Sequence, residues 1–144
     1  MIVADLKHLN PKDVVLWLHV EAAVWRLVKA ARAPVVSIQP TPTKMIDHGN
    51  TSLYGQCQFF RHPRPGVCRL LFTLRRVQDG AWHQQRMPLH HLLDTIAHEV
   101  AHAKVGWDAD HDAKFFRAFG QMILLSEKLK LRLDIQKADA KLPK

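Results

Sequence analysis

The pentapeptide His98-Glu99-Val100-Ala101-His102 constrains this chain more than any other feature. Two histidines four residues apart stand close together on one face, one turn above the other, where the backbone between them is helical. On such a face their imidazoles can hold two positions of one tetrahedral Zn²⁺. Glu99 is then placed to take a proton from a water on the metal, as the glutamate of zinc-dependent peptidases does. The chain holds ten His and three Glu, so a shuffled sequence would show this pattern roughly one time in a hundred. The surroundings argue against coincidence. Leu89, Leu92, Leu93, Ile96, Ala97, Val100, Ala101 and Val105 recur at helical spacing through the motif, while His91, Asp94, Thr95, His98 and His102 fall on or near another stripe. Pro88 starts this helix and Gly106 ends it.

A catalytic zinc takes three protein ligands and leaves a position to water. Three residues downstream compete for the third place. His111 follows a Gly-containing turn and can fold back towards His98 and His102, and it is the preferred ligand. Asp108 stands six residues past the second His, where some zincins place a ligand, but Gly106 falls one position late for their pattern. Glu127 has the long spacing of a glutamate ligand and no motif around it. Asp94, one turn before His98, is a candidate partner for an imidazole N–H or simply a solvated helix acid. Tyr54 and His91 are the remaining candidates for stabilising an oxyanion, and nothing in the pattern selects either.

The rest of the chain sets bounds. At 144 residues it is one domain, with 47% apolar and 24% charged residues, ordinary for a globular protein. No apolar run has the length of a membrane span, and the first residues lack a signal-peptide pattern, so the expected location is cytoplasmic. Cys57 and Cys68 are too few for a disulfide framework or a four-thiolate zinc ribbon. A net charge of +8 and a pI near 9.9 favour an anionic partner, nucleic acid being the usual one, which makes DNA through a basic surface a candidate.

Local patterns give the expected elements. Asn10 and Pro11 open a first helix running to about Ala31, with Val14, Trp17, Leu18, Val24, Trp25 and Val28 on its apolar side. Strands are expected at 34–39, from Leu53 to Phe60, and from Val67 to Arg76, where Cys68, Leu70, Phe72 and Leu74 alternate with polar residues. A turn at His62 to Gly66 would bring Cys57 and Cys68 together as a buried pair of free thiols. A further turn is expected at Asp79-Gly80. Asp108 or Asp110 would cap a last helix whose apolar face is Phe115, Phe116, Phe119, Met122, Ile123 and Leu129.

The stretch from Asp94 to Phe119 resembles the SprT-like (Spartan) zinc metalloproteases, in which H-E-x-x-H-A is followed after a loop by H-G-x-x-F. His111 and Phe115 match the His and the Phe of that step, and Asp112 stands in place of the Gly. Tyr54-Gly55-Gln56-Cys57 and Gly66-Val67-Cys68-Arg69-Leu70 are similar to the paired strands that precede the active-site helix, so the likeness runs over roughly residues 15–130. The resemblance implies an α+β, zincin-like domain over residues 1–136: an N-terminal helix, a small, mainly antiparallel three-stranded sheet, the H-E-x-x-H helix and a C-terminal helix. Residues 137–144 would be a flexible basic tail. It also implies a zinc metalloendopeptidase acting on protein substrates, with relatives that cleave proteins crosslinked to DNA. His98, His102 and His111 would bind Zn²⁺ and Glu99 would be the general base. The Cys-rich zinc ribbon of many relatives has no counterpart here, as in compact bacterial or phage-encoded members. The competing expectation is a structural or assembly component, for example of a virus particle, whose zincin fold holds a structural or vestigial metal.

Overall fold

Helix α1 (Pro11–Ala31) buries Leu16, Trp17, Val20, Ala23, Val24, Leu27, Val28 and Ala31, a stripe with the helical period. The computed structural model describes residues 6–7, 9, 11–40, 55–61, 66–78, 81–86, 88–106 and 111–140. Asn10 and the turn residues Asp79 and Gly80 lie outside the described residues. The apolar side of α1 differs from expectation at Leu18, which is 52% exposed. Residues 14–18 are all apolar, so periodicity alone cannot select the buried face there; the later turns do.

Strand β1 (Val35–Pro40) runs parallel to β3 (Cys68–Phe72), and β2 (Gly55–Phe59) runs antiparallel to β3 on its other side. The three-stranded sheet is thus mixed, where a mainly antiparallel one was expected. Alternation shows which face of a strand is buried but not which neighbour it pairs with. β3 carries the clearest alternation and is the central strand: Cys68, Leu70 and Phe72 are fully buried and Arg69 is exposed.

The expected strand to Arg76 is broken. Thr73 and Leu74 are both buried, which ends the alternation, and the backbone resumes as β4 (Arg75–Gln78), paired antiparallel with β5 (Ala81–Arg86). β5 was not foreseen, because Ala-Trp-His-Gln-Gln-Arg has no apolar alternation.

Helix α2 (Leu89–Val105) begins after Pro88 and ends at Gly106, whose φ of 105° suits glycine and whose N–H bonds to His102 O. It contacts β2 and β3 of the sheet and helices α1, α3 and α4. Helix α3 (Ala113–Lys128) is capped by Asp112, not by Asp108 or Asp110, which lie outside the described residues. The last helix also divides. Leu129 closes α3, Lys130 takes a φ of 59°, and α4 (Leu131–Ala140) follows, with Leu131 and Ile135 buried. Arg26 ties α4 to α1 through Asp134 and donates to Leu129 O at 3.0 Å. Lys137, where the tail was expected to begin, is still helical.

Two helix ends rest on side-chain-bearing residues in the left-handed region, Arg32 at φ 55° and Lys130 at φ 59°. After α1 the turn closes by Ala33 N–H to Val28 O at 3.0 Å, the long hydrogen bond of a Schellman ending that ordinarily places Gly at the Arg32 position. Arg32→Gly and Lys130→Gly should each stabilise the fold by roughly 0.5–1 kcal/mol, read as a higher midpoint in thermal unfolding.

Candidate metal centre

The i+4 ridge of α2 sets His98 and His102 half-exposed on one side of the helix, while Ile96, Ala97, Val100 and Ala101 bury the opposite side in the core. α3 approaches antiparallel, since His98 meets both Phe115 and Phe119, and His102 meets His111 and Phe115. His111 stands immediately before the α3 N-cap, and its ring lies 4.9 Å from that of His102 in the C-terminal turn of α2. The Asp112 carboxylate accepts the Phe115 N–H at 2.9 Å, which fixes the first turn of α3. Asp112 has an extended φ of −97°. No left-handed residue is needed at this step, so the Asp in place of the family's Gly is accommodated and serves as the cap.

The three imidazoles converge. His102 Nε2 lies 3.1 Å from His98 Nε2 and 3.0 Å from His111 Nε2, and the ligand atoms of the three all fall within 4.8 Å of one another. Two ligands held about 2.05 Å from a tetrahedral zinc stand roughly 3.3 Å apart. The two spacings about His102 therefore fit a single ion bound through Nε2. Burial, helped by the nearby His111, pushes the His98 pKa down, which keeps its ring neutral and its lone pair free for a metal. Among the described residues this is the cluster with metal-binding geometry. Glu127 and Asp94 are elsewhere: both line a cleft with His90, Leu93, Ile123, Ser126 and Arg132. Asp94 is exposed. Asp108, Asp110 and Tyr54 lie outside the described residues, and His91 is exposed.

Glu99 projects between the two α2 histidines and the sheet. It is only 6% exposed, with Oε1 3.8 Å from His98 Nε2, and burial pushes its pKa up to about 7. A carboxyl so placed exchanges a proton near neutrality, as a general base requires.

A contact that sequence reasoning missed is the approach of β2 to α2. A Cβ at Gly55 would stand 2.5 Å from Thr95 Cγ2 and 3.1 Å from Glu99 Cγ, so only glycine lets the strand pass this close. Gly55 figured in the sequence only within a strand pattern, and no local signal reveals which helix a strand glycine will meet. Two residues on, Cys57 stands on the same side of the strand, beside Cys68 of β3. That contact, with burial, pushes the Cys57 pKa up. Both cysteines are free, as the sequence suggested, and the raised pKa keeps the Cys57 thiol protonated and unreactive.

No family model and no curated protein matches the sequence. Among solved structures, the crystal structure of a Wss1 mutant from Saccharomyces cerevisiae superposes with a TM-score of 0.62 at 18% identity, covering 90% of each chain. The chain folds like Wss1. At that identity the likeness speaks for the α+β architecture and the order of its elements.

Two outcomes test this geometry. His111→Ala should reduce bound zinc, measured by elemental analysis of purified protein, from about one ion per chain to roughly a tenth of that or less, while Glu127→Gln leaves it unchanged. Loss of metal only in Asp108→Ala would replace His111 in the ligand set. Gly55→Val should drive its side chain into Thr95 and Glu99 and destabilise the fold by about 1–3 kcal/mol, seen in denaturant unfolding.

Proposed function

We propose that the chain is a zinc-dependent endopeptidase of the SprT-like kind, cleaving protein substrates. The observation that carries this reading is a buried carboxylate, Glu99, beside three histidines whose Nε2 atoms converge. A site that held metal for structure alone would have no use for a base at that point, which argues against the assembly-component reading. His98, His102 and His111 are the proposed ligands. When bound, the ion supplies a water of lowered pKa and a Lewis acid for the scissile carbonyl. Glu99 Oε1 accepts the proton of the attacking water and passes it to the leaving amine nitrogen. The apolar floor under the site, Phe115 with Ile96 and Val100 behind the histidines, keeps bulk water from the side opposite the substrate.

The neighbouring strand supports a peptide substrate. Among the described residues β2 pairs on one side only, with β3, and it passes against Glu99 at Gly55. An extended peptide can add to such an edge through main-chain hydrogen bonds, which bind without demanding a side-chain sequence.

The proposed substrates lie on or near DNA. The net charge of +8 supports this, as do Lys114, Arg117 and Lys128, which recur along the exposed face of α3 and are continued by Lys130 and Arg132. No described helix is long and apolar enough to cross a membrane.

Glu99→Gln should retain zinc yet lose cleavage of an unfolded protein substrate by about a thousandfold or more, followed by gel electrophoresis and mass spectrometry of the products. A chelator should abolish cleavage in the wild type and added zinc restore it. Cleavage that survives in Glu99→Gln would refute the assigned mechanism. Binding to duplex DNA that ignores salt concentration would remove the nucleic-acid part alone.

A further inference from the structure

We propose that Phe115 is a positioning residue for the metal centre: its ring, locked in the core while Asp112 holds its backbone, is the shared wall that keeps the three histidine rings in their binding orientation. The inference rests on the reading of His98, His102 and His111 as metal ligands. The geometry is specific. The Phe115 ring stacks on His102 at 4.4 Å between centroids with a 30° tilt, meets His98 at 4.9 Å and 66°, and meets His111 at 4.8 Å and 49°. One aromatic side chain thus touches every proposed ligand, each at a different angle. Phe119 reaches His98 at 5.7 Å and stands farther from the cluster.

A wall positions other groups only if it cannot move. Phe115 is 1% exposed and belongs to the main core cluster, so its ring is held from behind by close packing. Its backbone is held as well. The Asp112 carboxylate accepts the Phe115 N–H at 2.9 Å and the Asp112 carbonyl accepts the Phe116 N–H at 3.0 Å. Asp112 also follows His111 directly. One capping residue therefore sets both where the third histidine enters the helix start and where the ring beneath it sits. Contacts of this kind act before the metal arrives. They narrow the rotations open to each imidazole, so fewer orientations are lost when the ion binds.

The test measures zinc affinity by competition with a chelating dye, together with the visible absorption of the Co²⁺-substituted protein, which reports ligand geometry directly. Phe115→Leu should weaken zinc binding about 10- to 100-fold, the range found when groups behind metal ligands are altered, and should shift the Co²⁺ bands. Phe115→Met, whose unbranched side chain adapts to the gap left by the ring, gives the same readings if the Leu variant does not fold. Asp112→Ala should weaken zinc by up to about tenfold. Asp112→Asn, which caps a helix equally well, should stay within about twofold of wild type. Met122→Ala, a cavity in the buried face of α3 two turns away, should lower the melting temperature with zinc affinity within about twofold. Equal loss of affinity in the Phe115 and Met122 variants would reduce Phe115 to general packing and overturn the proposal. So would an unchanged affinity and Co²⁺ spectrum in Phe115→Leu. A wild-type protein that takes up no zinc fails at the earlier step, and the metal reading falls with it.

Discussion

Helix α2 serves two demands that pull against each other. One face must be buried deeply enough to hold the helix still, and the other must present polar rings to a ligand. Leu92, Ile96 and Val100 meet the first demand, each contributing about 1.5–3 kcal/mol of apolar burial. Ala97, Ala101 and Ala103 meet it differently: their small side chains let neighbouring elements come close. The sheet, α1, α3 and α4 all contact this helix. Glu99 falls on the boundary between the faces. It is buried with the core side, which raises its proton affinity, yet lies 3.8 Å from His98. The geometry of the site is thus a consequence of how α2 is packed.

The strand side of the site obeys the same logic. A sheet edge can lie against a helix only at backbone-to-side-chain distance unless a glycine intervenes. Gly55 supplies that gap, bringing the main chain of β2 to Thr95 and Glu99. Cys57 and Phe59, further along the strand, then pack against the core. Paired with β3 on one side, β2 is fixed by Gly55↔Phe72 and Cys57↔Leu70, so the strand cannot slide without moving the carboxylate next to it. The proposed base, the strand and the core are one mechanical unit.

Much of this was legible in the sequence, and the exceptions have physical causes. Helices α1 and α2 and strands β1 to β3 follow from period and punctuation, because Pro11, Pro34, Pro88 and Gly106 act locally. His98 and His102 needed only the helix. His111 could be ranked above Glu127 because a short chain reversal brings it back, and the structure gathers it with the other two histidines while Glu127 faces a separate cleft. Strand partners were not legible, since alternation is blind to them. Nor was the division between α3 and α4, which turns on Lys130, a residue with no intrinsic preference for a positive φ. Gly55 was visible as a strand glycine, but its meaning lies in a helix more than thirty residues away.

The proposed ligand set also bears on how binding and folding are linked. His98 and His102 belong to one helix, so a metal held by them alone would add little to tertiary stability. His111 precedes the cap of the next helix, and an ion held by all three cross-links the end of α2 to the start of α3. Anything that binds the folded state but not the unfolded one stabilises it by RT ln(1 + [L]/Kd), about 2.7 kcal/mol at a hundredfold excess over Kd. The helices do not wait for that contribution. Phe115 and Phe119 already pack across the seam against His98, and Asp112 already caps α3. The packed hairpin gathers the ligands, and binding then raises the cost of separating its helices. The part of the chain closest to the proposed chemistry would therefore gain the most rigidity from the metal.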